Sequence, residues 1–177
     1  MTDIVQGIRE LSELNDREIE GLSDLLIDCV EGGASVSFMH PLTRSKAKDF
    51  WRSVAEGCAR GERLVYVAQD REGITGSAQL VWAQAENQPH RADVAKMLVH
   101  RRARRRGLGA SLLAAAEAGA KRRGKTLFLE SNKKLGPALT LYESAGFVHQ
   151  PAPRADSHYA RANVYMIYES KKLRRRA

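Results

Sequence analysis

The residues best equipped for chemistry are Arg104, Arg105, Arg106, Gly107, Leu108 and Gly109. The strand-like residues 92–99 run into this basic, glycine-bearing turn. After it, Leu108, Leu112, Ala115, Ala116 and Gly119 recur with helical period. The first turn of a helix leaves backbone N–H groups without partners and carries about half a positive charge. Gly107 and Gly109 let a ligand approach such amides without side-chain obstruction. The arginines add forked donors that match phosphate oxygens. Together these residues form an anion cradle suited to a pyrophosphate. Leu112 stands where a dinucleotide fingerprint needs its third glycine, and no Gly-Lys-Ser/Thr of a nucleotide P-loop follows.

Periodicity and capping residues outline the elements that must hold this turn. Residues 3–9 read as a first strand. A helix capped by Asn15 or Asp16 carries Ile19, Leu22, Leu25, Leu26 and Cys29, and Gly32 and Gly33 stop it. After a loop, Thr43 caps a second helix with Ala47, Phe50, Trp51, Val54 and Cys58, which Gly61 closes. Residues 64–68 and 74–83 form a hairpin around a turn at 70–73, and 92–99 form the next strand. Beyond the phosphate turn and its helix come a short buried strand at 126–129 and a helix at 137–145, with Pro137 in its first turn and Gly146 after it. Strands at 147–148 and 164–168 complete the order β αα βββ α β α ββ. This predicts an α/β fold with both hairpin and crossover connections.

With 177 residues, 43% apolar and 28% charged, the chain reads as one soluble domain with a real core. It has no apolar run of about 18 residues to span a membrane, and residues 1–10 do not read as a signal peptide. Cys29 and Cys58 are far apart, which excludes a disulfide scaffold and suits a reducing cytoplasm. Five histidines and two cysteines show no metal-ligand spacing, so no metal is expected. The net charge of +8 splits into −5 over residues 1–100 and +13 over 101–177, with basic clusters at 101–106, 121–125 and 171–176. Such a half suits a polyanionic ligand, and a basic nucleic-acid-binding module is one reading. That reading needs aromatics or a recognition helix beside the arginines. Only 6% of residues are aromatic and none interleaves with 101–106, so specific nucleic-acid binding is not expected.

Residues 104–109 have the form [Arg/Gln]-x-x-Gly-x-[Gly/Ala], which resembles the acyl-coenzyme A loop of the GNAT acetyltransferases. Leu141-Tyr142-Glu143-Ser144-Ala145-Gly146-Phe147 resembles that family's LYE-x-x-GF segment at the expected distance. The resemblance extends to the element order. It implies a single acetyltransferase domain over 1–170 with a basic tail at 171–177, and a mixed, mostly antiparallel central sheet flanked by helices. It implies an acetyl-CoA-dependent N-acetyltransferase with acetyl-CoA as co-substrate. The pantetheine arm would lie along the backbone of Met97, Leu98 and Val99, and the pyrophosphate on residues 104–109, with Arg102 as a further phosphate contact. Tyr142 corresponds to the tyrosine that protonates the departing thiolate. Two carboxylates compete as base. Asp93 stands where many members carry a glutamate, one methylene longer, and Glu130 follows the buried strand. Leu135 replaces an asparagine that contacts the cofactor in many members, a role Asn132 could take.

Residues 31–39 and 91–99 resemble, more narrowly, segments of the tabtoxin-resistance acetyltransferases, which acetylate an amino-acid-like β-lactam toxin. This implies a small amino-acid-like amine as acceptor, in toxin or antibiotic resistance. The loop 32–39 would line its pocket. Glu31 would hold an ammonium, Ser35 and Ser37 would offer hydroxyls, and Phe38 and Met39 would form an apolar wall. His149, His158 and Tyr159 are further candidates. Transfer to a protein lysine or chain N-terminus is the alternative, since an acidic first half suits a basic peptide. Dimers are frequent in the family, and no patch in the sequence decides for or against a homodimer.

Overall fold

The computed structural model describes residues 7–34, 37–84, 86–151 and 162–168. Gly7, at φ +79, precedes β1 (Ile8–Leu11); of the strand expected at 3–9, residues 3–6 lie outside the described residues. Asn15 opens α1 (Asp16–Glu31) with a reciprocal capping box. Its Oδ1 accepts from the Glu18 amide at 3.0 Å, and Glu18 Oε2 accepts from the Asn15 amide at 3.0 Å. Thr43 caps α2 (Arg44–Ala59), and Gly61 at φ +72 follows the helix end.

Strands β2 (Arg63–Asp70), β3 (Gly73–Trp82) and β4 (Arg91–Val99) form an antiparallel meander. A single 3-10 turn, Arg101–Ala103, leads to α3 (Leu108–Arg122). Then come β5 (Thr126–Ser131), α4 (Gly136–Ala145), β6 (Phe147–His149) and β7 (Val164–Tyr168). The seven strands lie in the order β1-β2-β3-β4-β5-β7-β6, and β4–β5 is the parallel pair among otherwise antiparallel neighbours. This is the mixed, mostly antiparallel sheet expected.

Both faces of the sheet are covered, so its central strands are buried on both sides. Val65 and Val67 join the core beneath α1 and α2, with Leu22, Leu25, Leu26 and Trp51. Leu64, Tyr66 and Leu80 join the core beneath α3, with Leu112, Leu113 and Ala116. Gly76 lets α3 lie close to β3, because a Cβ there would sit 2.8 Å from Leu112.

Candidate active site

Strands β4 and β5 pair over only three residues, Arg91, Ala92 and Asp93 against Thr126, Leu127 and Phe128. Beyond Asp93 they separate. Residues 94–99 of β4 remain paired to β3, whereas residues 128–131 of β5 pair with β7. A bulge puts Lys96 and Met97 opposite the single residue Ala78, with Lys96 at φ +48. The main chain of Met97, Leu98 and Val99 therefore borders an opening in the sheet. A linear ligand arm can lie there with its polar groups facing unpaired strand backbone.

The turn after β4 ends at Gly107, whose φ of +74 suits glycine. No side chain caps α3, and a Cβ built on Gly107 would meet nothing within 4 Å. The first-turn amides thus lack a side-chain cap, and the Cβ side of Gly107 is open. Arg104, Arg105 and Arg106 are exposed around them, and Arg104 Nε donates to the Val99 carbonyl at 3.2 Å. Gly109 differs from Gly107: its missing Cβ would lie 3.3 Å from Leu141, so its smallness lets α3 approach α4. Leu108 turns inward, packed against the core beneath α3. Arg102 is engaged elsewhere, its guanidinium bound to Asp70 and 3.6 Å from Glu72. That hydrogen bond holds the Asp70 carboxyl down at about 2.

On the α1–α2 face of the sheet lies a cavity of ≈ 230 Å³, lined by residues that include Phe50, Arg63, Gln79, Asp93, Lys96 and Glu130. Both candidate bases therefore share one cavity, but they are held differently. Arg91 is 5% exposed and grips Asp93 Oδ1 through Nη2 at 2.8 Å and Nε at 3.2 Å, while stacking its guanidinium over Phe128. Glu130 lies within β5, opposite Tyr165; pairing with β7 carries the strand past its expected end at 129. Lys96 Nζ donates to Ser37 Oγ at 3.2 Å and lies over the rings of Phe38 and Phe50. Burial pulls its ammonium below the ordinary lysine value.

Tyr142 stands on α4 and packs with the core beneath α3, its ring 6.1 Å from that of Phe147. Burial raises its phenol above the usual value of 10, so it remains a proton donor at neutral pH. Asp93 and Glu130 lie on the α1–α2 face, and Tyr142 on the other. Cys29 and Cys58 are poor nucleophiles, because burial pushes both thiols up to about 11.

The expected acceptor loop is only partly brought to the cavity. Phe38 reaches it through its edge contact with Phe50 at 5.2 Å. Glu31 instead pairs with Arg101 at 3.2 Å, and Met39 is 73% exposed. His149 pairs with Glu143 at 2.8 Å. Asn132 accepts from the Lys134 amide at 2.9 Å, shaping the turn into α4. Ser35, His158, Tyr159 and the tail 171–177 lie outside the described residues. Sequence reading missed Arg63, Gln79 and Lys96 as site residues. The available signal was the polar alternation of Thr75, Ser77 and Gln79 along a strand buried on both faces. Among the described residues, no cluster of His, Cys, Asp or Glu could hold a metal, and no helix is long and apolar enough to cross a membrane.

An uncapped helix start ringed by arginines, a gap between strands and an acid-lined cavity are the features that a transferase using a long, phosphorylated carrier would need. Residues 61–149, just over half the chain, match the family model described as an acetyltransferase (GNAT) domain. Solved structures agree on the fold. A GNAT-family acetyltransferase from Staphylococcus aureus Mu50 superposes with a TM-score of 0.70 at 16% identity, covering 91% of this chain and 98% of that one. A PaiA N-acetyltransferase from Thermoplasma acidophilum, solved with coenzyme A, gives 0.70 at 15% identity, covering 92% and 98%. A ribosomal-protein-alanine N-acetyltransferase from Brucella melitensis gives 0.69 at 19% identity, covering 90% and 95%. The chain belongs to the GNAT acetyltransferase family.

Proposed function

We propose that this acetyltransferase moves the acetyl group of acetyl-coenzyme A to the primary amine of a small amino-acid-like molecule. The observation that carries the reading is the cavity of ≈ 230 Å³, which lies below the roughly 300–1,000 Å³ of sites for drug-sized ligands and suits something smaller. The likeness of residues 31–39 and 91–99 to tabtoxin-resistance enzymes supports the same acceptor class. Residues 1–170 form the acetyltransferase unit in this reading, with 171–177 as a basic tail. The buried, free thiols suit a cytoplasmic setting.

The open Gly107 and its uncapped helix fit a pyrophosphate, and the coenzyme A held by the Thermoplasma relative supports that ligand. Acetyl-coenzyme A supplies an acyl group activated as a thioester. Arg104, Arg105 and Arg106 add charge at the pyrophosphate, and the backbone of Met97, Leu98 and Val99 orients the arm. An alkyl amine with a pKa of ~10.4 is free base only about once in 10³ molecules at neutral pH. A base must therefore take its proton. In this reading Glu130 takes that role, since Asp93 is one methylene shorter and reaches less far into the cavity that both line. Asp93 instead attracts and orients the ammonium. Tyr142, on the other face of the sheet, returns a proton to the leaving sulfur.

The test is a mass-spectrometric screen for acetylated products over amino acids, amino-acid-like compounds and peptides. The expected result is acetyl gain on small amino-acid-like amines. Acetylation confined to peptides would overturn it in favour of a protein amine. The acidic first half and the Brucella relative's name support that second reading.

A further inference from the structure

Gln79 is 1% exposed and lines the acceptor cavity from β3. Its Oε1 accepts from Arg63 Nη1 at 3.2 Å. A guanidinium only donates, so this contact fixes which way the amide faces. The group left over is Nε2, a buried donor without a hydrogen-bond partner among the described residues. An unsatisfied buried donor is costly and uncommon in a settled core. Arg63 Nε is likewise buried and unpartnered. The place of Arg63 is built into the fold, since a Cβ on Gly57 of α2 would lie 2.6 Å from that Nε.

The register locates this donor relative to the reaction. Gln79 pairs with Ala95 of β4, one row beyond the row that joins Val81, Asp93 and Phe128. Glu130 lies the same two residues beyond Phe128 on β5. Gln79 and Glu130 thus lie on the same face of the sheet and line one cavity from β3 and β5, with Ala95 of β4 between them. The cavity combines a donor group held beside a fixed positive charge with a carboxylate.

We infer that Gln79, positioned by Arg63, binds a carboxylate of the acceptor while the amine of the same molecule faces Glu130. The acceptor is then a zwitterion, and its acid group is a requirement rather than an ornament. This rests on the small-amine reading above and adds to it the group recognised and the residue that recognises it.

The test compares each amino acid with the amine left after its decarboxylation: lysine with cadaverine, ornithine with putrescine and alanine with ethylamine. A site built around a polar group rejects the analogue that lacks it, so wild type is expected to favour the carboxylated member by at least about 10-fold in kcat/KM. Gln79→Leu is expected to bring that ratio close to 1 while acetyl-CoA affinity, read by calorimetry, stays unchanged. Equal rates within wild-type pairs, or a ratio that survives Gln79→Leu, would overturn the inference and leave small-amine acetylation standing. If no small amine is acetylated, both fall together. If Gln79→Leu does not fold, the wild-type ratio decides alone.

Discussion

The proton roles proposed for Tyr142 and Glu130 fall on opposite faces of the sheet, and each makes a separable prediction. The raised phenol of Tyr142 keeps its proton through the neutral range and past its ordinary value of 10. Tyr142→Phe should therefore lower kcat by about 10²-fold or more with acetyl-CoA affinity held. Equal turnover would remove its role as acid. Glu130→Gln should change the pH–rate profile and lower kcat/KM by about 10²-fold. A profile identical to wild type would move the base to Asp93. Tyr142 and Glu130 were legible as candidates because each follows a local signal, a motif or a strand end. Gln79 was not, because its proposed role depends on Arg63, 16 residues away in sequence, and on the cavity that both line.

Packing between elements is tightest where α3 crosses β2. A Cβ on Gly119 would lie 1.8 Å from Tyr66 Oη, which donates to Glu10 Oε2 at 2.7 Å. Gly119→Ala should lower unfolding stability by about 1–3 kcal/mol through overpacking and loss of that bond. A chemical denaturation midpoint equal to wild type would contradict the contact. The end of α1 is tied to the phosphate turn by Asp28, which accepts from Arg101 N and Arg101 Nε, both at 2.9 Å. Burial works against its charge, but these hydrogen bonds prevail and hold its pKa below 3.8. A lowered carboxyl stabilises the fold above its unfolded pKa and loses that contribution as pH falls through the folded value. Asp28→Asn should thus be less stable than wild type at neutral pH, with the gap in melting temperature closing below about pH 4. A gap independent of pH would refute the linkage. Helix caps such as Asn15 and Thr43 were readable in advance because capping is local chemistry. The splay between β4 and β5 was readable only through the family resemblance, which laid the pantetheine arm along residues 97–99, because no local signal marks where a parallel pair stops and β7 inserts beside β5.

At the scale of the whole molecule, part of the charge asymmetry is met by pairing between the halves: among the described residues, four arginines of the basic half bind acids of the first. Asp28 and Glu31 hold Arg101, Asp70 holds Arg102, and Glu10 holds Arg122 and Arg123. Arg104, Arg105 and Arg106 stay exposed, beside the amides that open α3. Acetyl transfer as proposed requires that turn to grip a pyrophosphate. The most direct measurement is calorimetric titration of acetyl-CoA into wild type and Gly107→Val, with folding of the variant checked by its far-UV spectrum. The predicted result is saturable binding by wild type, weakened at least about 10-fold in the variant, whose side chain would occupy the open approach to the helix amides. Equal affinities, or a wild-type protein that ignores acetyl-CoA, would contradict it.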